Sequence, residues 1–126
     1  MIRSVRQHNV LYKLAVMDAE IIERIIAQEL SAGVPFDNAH GINPENVNRH
    51  RVRPPIVERF ENAGIPGGDT FVDAWIVLDE CPGSTDSGYL VVFYSPQSMF
   101  GLAMKGTPHP IFLGCYGSLA DTLTAM

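Results

Sequence analysis

From Thr70 to Gly117 the chain carries four apolar, β-rich runs, "TFVDAWIVLDE", "GYLVVFYS", "MFGLAMKG" and "PIFLGCYG". Only short turn-forming stretches, "CPGSTDSG", "SPQS" and "TPH", lie between them. This spacing constrains the fold more than any other feature. Links so short favour antiparallel neighbours, because a parallel pair needs a crossover of a dozen or more residues. The second half therefore reads as a four-stranded meander. In the first run Val72, Ala74, Ile76 and Leu78 form one uninterrupted apolar face, and Phe71, Asp73, Trp75, Val77 and Asp79 the other. The second run is apolar on both faces, as a central strand should be. Met99, Phe100, Leu102 and Met104 read as strand core, with methionine filling gaps.

The first half has a different period. In "DAEIIERIIAQEL", Ile21, Ile22, Ile25, Ile26 and Leu30 make one helical stripe. Asp18 suits the N-cap, and Gly33 and Pro35 end the helix. Upstream, Val10, Leu11, Leu14 and Met17 suit a backward extension of that helix, whereas Val10, Tyr12, Leu14 and Val16 alternate as in a strand. The helix is the preferred reading over 10–17. Residues from about 33 to 55 are rich in Gly, Pro and Asn and form a long irregular segment. "PPIVERFENAG" reads as a short helix with Pro55 in its first turn, Ile56, Val57 and Phe60 inward, and Gly64 closing it. "SLADTLTAM" reads as a terminal helix capped by Ser118, with Leu119, Leu123 and Met126 on one stripe. Residues 1–126 are thus expected to form a single α+β domain. Its two layers are N-terminal helices followed by a four-stranded, mainly antiparallel meander and a C-terminal helix.

Charge narrows the partners. The net charge is −5, which disfavours general affinity for nucleic acid or an anionic membrane. Four of the nine basic residues fall between Arg49 and Arg59, so that stretch is locally positive in an acidic chain. Cys81 and Cys115 lie in no metal-binding or redox spacing. They read as free thiols of a reducing cytoplasm. The apolar run "VLYKLAV" is interrupted by Lys13, unlike the core of a secretion signal, and no stretch approaches 18 apolar residues.

The stretch "NVNRHRVRPPIVERF" holds the first candidate site. Arg49, Arg51 and Arg53 alternate around His50, and Pro54 biases Arg53 towards extended backbone. Guanidiniums on one side of an extended chain can grip a phosphate, a carboxylate or an acidic protein surface. The plainer reading is that these arginines hold the loop to the body or to a second subunit. Cys115 is a second candidate. "FLGCYGS" joins a strand to a helix, as at a nucleophile elbow, with His109 or His50 as base. Gly117 fits that motif and Leu113 does not, and a small buried hydrophobe explains the cysteine equally. Gly117 and Ser118 could offer amides to an anion. Asp37 with His40 is a weak pair. Asp73 and Asp79 would share a face with Trp75, near Glu80 and Asp86, as an acid and base beside an aromatic platform would. His8, His40, His50 and His109 lack metal-binding spacing.

These features point first to a non-catalytic binding or interaction module with no cofactor and no metal. Self-association is expected, because three short helices cover only one of two apolar sheet faces. The alternatives are a small hydrolase or transferase using Cys115, and an anion-responsive regulatory module using residues 49–53.

Overall fold

In the computed structural model, residues 18–126 are described. The expected helix or strand over 10–17, and His8, lie outside them. A first helix, α1, covers residues 18–31. Residues 34–46 follow without regular structure, and a 3-10 turn spans Val47–His50. Five strands come next: β1 (Arg51–Asn62), β2 (Phe71–Asp79), β3 (Tyr89–Tyr94), β4 (Met99–Met104) and β5 (Ile111–Gly117). Helix α2 (Leu119–Ala125) follows. No described helix is long and apolar enough to cross a membrane.

The four runs of the second half are β2 to β5, paired antiparallel in sequence order. The mixed helix and strand composition is as expected, but the two-layer arrangement is not. "PPIVERFEN" is a strand, not a helix. It pairs antiparallel with β2 from Ile56↔Ile76 to Glu61↔Phe71. It also pairs in parallel with β5 at Glu61↔Ile111 and Asn62↔Phe112. That fifth strand closes the meander into a barrel with the order β1-β2-β3-β4-β5. A short apolar run does not by itself separate helix from strand. Here partners on both sides decide, and of Ile56, Val57 and Phe60 only Phe60 is buried.

Closure gives each apolar face its own cover. The barrel interior takes Phe60, Ala74, Leu90, Val92, Ala103 and Phe112, with at least one residue from every strand. Gly101 on β4 has no room for a side chain, because a Cβ there would sit 2.3 Å from Gly114 O of β5. The outer face carries Trp75, Val77, Val91, Phe93, Phe100 and Leu102. Ile22 and Ile26 of α1 and Leu119 and Leu123 of α2 lie against it, with Phe36, Ile42 and Val47 from the intervening segment. The irregular segment is therefore core packing at three points. Asn38 fastens it further, its amide donating to Ile42 O at 3.1 Å and to Leu123 O at 3.0 Å. The bare sheet face that motivated self-association is the barrel interior.

One residue of β2 changes what the rest of the strand can do. The register runs Ile76↔Val92 and then Leu78↔Val91, so Val77 is an extra, bulged residue. Before the bulge even-numbered side chains point inward. After it Leu78 joins Val77 in the outer core, and Asp79, opposite Leu90, faces the interior side. Two expectations fall with this. Leu78 does not continue the Val72–Ile76 face, and Asp79 does not share a face with Asp73 and Trp75.

The seam of the barrel rests on Gly64. A Cβ there would sit 2.3 Å from Leu113 C and 2.4 Å from Gly114 N, both backbone atoms. Gly64→Ala must therefore push β1 away from β5. It is expected to cost about 1–3 kcal/mol, as overpacking does, seen as a lower denaturation midpoint.

Candidate functional site

The seam closes the barrel at one end only. Asn62 N–H donates to Thr70 O at 2.9 Å, towards β2. Glu61 N–H donates to Pro110 O at 2.8 Å and Ala63 N–H to Phe112 O at 3.0 Å, towards β5. Backbone groups alternate sides along a strand. The N–H and C=O of Val57 and Arg59 therefore point the same way as those of Glu61. At their level no described strand meets them, because β5 begins only at Ile111. A cleft of about 380 Å³ fills the gap between β1 and residues 105–110. Val52, Ile56, Ile76 and Leu90 give it apolar walls, and Pro108 and Pro110 form the far side. Ile56 is 52% exposed although its side chain lies on the inward face of β1.

Three charged residues line the cleft: Glu58, Asp79 and Lys105. Lys105 is fully engaged. Its Nζ contacts Asp79 Oδ1 at 2.8 Å and donates to Cys81 O at 2.7 Å and Ser84 O at 2.6 Å. An ammonium has three donors, so none remains for a ligand. Asp79 Oδ1 also accepts from Cys81 N–H at 3.0 Å. This group staples the β2–β3 turn to the end of β4. Among the described residues Glu58 has no ion-pair or hydrogen-bond partner through its side chain. It is the one uncompensated charge of the cleft, and it is negative.

The arginine stretch does not converge. Arg51 lies opposite Leu78 and so faces the outer core. Its side chain is 5% exposed and its Nη2 donates to Glu23 Oε2 of α1 at 2.6 Å. Among the described residues Arg51 Nε and Glu23 Oε1 are buried without another partner. A side-on fork between the same two groups would satisfy both. Arg53 is exposed and donates to Asn48 Oδ1 at 3.1 Å, and Arg49 is exposed. His50 Nδ1 donates to Asp79 O at 3.1 Å. The four candidates thus go to α1, to the 3-10 turn, to solvent and to the end of β2. Arg59 lies over the Phe71 ring, its guanidinium 5.6 Å from the centroid.

The other candidates are also separately engaged. Cys115 packs against the barrel interior, and burial raises its thiol pKa, which keeps the sulfur protonated and a poor nucleophile. His109 packs edge-on to Phe71. Ser118 caps α2, accepting from Asp121 N–H at 3.0 Å. The next amide, Leu119 N–H, is taken by Glu29 Oε1 at 2.8 Å, so the anion at that helix start is the chain's own. His40 pairs with Glu80 and stacks edge-on against Tyr89. Asp37 accepts instead from Asn38 N–H. Asp73 is exposed, 3.9 Å from Arg59 Nε, and Asp86 accepts from Ser84 Oγ at 3.1 Å. Among the described residues no three His, Cys, Asp or Glu side chains group as a metal site.

Of the residues that form the cleft, sequence assigns Ile56 to a helix interior and Asp79 to a different carboxylate group, and gives Glu58 and Lys105 no site role. A signal existed for Ile56 and for Lys105. Ile56-Val57 is a β-branched pair, a strand preference. Lys105 is the only lysine or arginine after Arg59, among seven acidic residues.

Two measurements check these roles. Arg51→Ala leaves Glu23 without its cation and is expected to cost roughly 3 kcal/mol, the low end for breaking a buried pair, because Glu23 stays partly wet. Arg53→Ala should stay within about 0.5 kcal/mol of the parent. For Cys115, the folded state holds its proton more tightly than the unfolded chain. Stability should therefore fall as pH rises above about 8.5, and Cys115→Ser should remove that part of the slope.

No protein-family model, curated protein or solved structure matches this chain.

Proposed function

We propose that this domain is a non-catalytic binding module whose ligand enters the cleft beside β1. The observation that carries the reading is an apolar opening into the barrel interior whose only uncompensated charge among the described residues is Glu58. Binding sites of small molecules and peptide side chains are concave and mainly apolar, with a few polar groups that set orientation. The cleft has that composition. Its chemistry favours an apolar ligand that is neutral or carries a cationic group, and disfavours an anion. The protonated, inward-packed Cys115 and the separately engaged His50 and His109 weigh against covalent catalysis. The burial of Arg51 against Glu23 weighs against an anion held by residues 49–53.

The test is a titration of 15N-labelled protein with neutral, amine-bearing and carboxylate-bearing aromatic and aliphatic fragments. Amide shifts are expected to cluster on Ile56, Glu58, Ile76, Leu90 and Lys105. Amine-bearing fragments should bind at about millimolar Kd, near −4 kcal/mol, and carboxylates more weakly. Ile56→Thr keeps β-branching and should weaken binding while leaving the fold intact. Shifts spread over the surface, or clustered on Arg49 and Arg53 with anionic fragments, would overturn the reading.

A further inference from the structure

The geometry points to an extended peptide segment, carrying a basic residue next to apolar ones, that docks by adding a strand to β1. This inference rests on the cleft being a binding site and specifies its occupant. Three observations carry it. First, the gap presents main-chain groups as well as apolar walls. Alternation directs N–H and C=O of both Val57 and Arg59 into it, and neither amide has a backbone partner there among the described residues. An unpaired strand edge is a template for another strand, and strand addition satisfies such groups in alternate pairs. Second, the far wall cannot take that role. Pro108 and Pro110 have no N–H to give, and Pro110 O is already used by Glu61. Third, the inward side chains next to the free edge are Ile56 and Glu58. A strand laid along β1 would place every second side chain over them. The matching pattern is an apolar residue over Ile56 and a lysine or arginine over Glu58, one residue apart.

Charge also argues for a different chain over a second copy of this one. The antiparallel self-pairing that uses both Val57 and Arg59 sets Val57 against Arg59 of the other copy. Glu58 then lies directly opposite Glu58 of that copy, and like charges in that position are destabilising. A basic partner removes the conflict.

The probe is the capped heptapeptide acetyl-Thr-Leu-Thr-Lys-Thr-Leu-Thr-amide, whose palindromic pattern suits either strand direction. Binding to 15N-labelled protein is expected with shifts along Ile56–Phe60 and slowed hydrogen exchange at the Val57 and Arg59 amides. Methylating one alternate set of peptide amides should abolish binding, and methylating the other should be tolerated. Glu58→Gln should weaken binding roughly two- to fivefold, the range of one cross-strand pair. Glu58→Lys should transfer preference to the peptide with Glu in place of Lys. Equal tolerance of both methylated sets, or unchanged exchange at Val57 and Arg59, overturns strand addition. So does concentration-dependent protection of those amides without peptide, which would assign the edge to a second copy. If fragments bind the cleft and the peptide does not, this inference fails and the cleft reading stands. If neither binds, both fail.

Discussion

The parallel contact between the end of β1 and the start of β5 is short, yet the rest of the architecture depends on it. Two residue pairs and the amides of Glu61 and Ala63 join the strands, and Gly64 lets the backbones touch. Without that seam the inner face of the meander would be an open apolar sheet, exposing Phe60, Val92 and Phe112 to water. With it those side chains form a closed core, and the helices are free to cover the opposite face. The same shortness leaves the β5-facing side of β1 at Val57 and Arg59 without a neighbour among the described residues. Closure and cleft are two results of one contact being strong in one place and absent in another.

Several charged side chains of the described residues hold elements together. Glu23 of α1 takes Arg51, Glu29 of α1 takes the first amide of α2, and Lys105 of the β4–β5 connection takes the β2–β3 turn. Each joins segments distant in sequence, and each satisfies groups that would be costly to bury alone. The acidic excess of the chain is thereby partly spent inside it. Against this background of paired charges, a carboxylate such as Glu58 that faces an apolar opening with no partner among the described residues stands out.

Much of the fold was legible because period and turn spacing are local properties. The four runs after Thr70, the Ile22 and Ile26 stripe and the Ser118 cap all came directly from them. What sequence could not supply was pairing between distant segments. "PPIVERF" suits a helix or a strand equally until β2 and β5 are beside it. The bulge at Val77 leaves no mark in an apolar run, since Ile76, Val77 and Leu78 are all apolar and interchangeable in pattern. Arg51 and Arg53 look equivalent as alternating residues, yet four β1 residues, 52–55, stand between two paired positions where β2 has only Val77. Proline at 54 and 55 cannot donate to a ladder, so the strand steps out there, and the arginines part company. The cleft was invisible for a related reason. It is made of residues from β1, β2, β3 and the β4–β5 connection that no short motif could join.

The extra residue at Val77 has a consequence for how this domain can change over evolutionary time. Its loss would bring Ile76↔Val92 and Leu78↔Val91 together as consecutive pairs, so Leu78 would stay outward and Asp79 inward. Such a deletion would take one valine from the outer core and keep the carboxylate of Asp79 on Lys105. β2 can therefore change length by one residue at this point without reversing the charges that line the cleft.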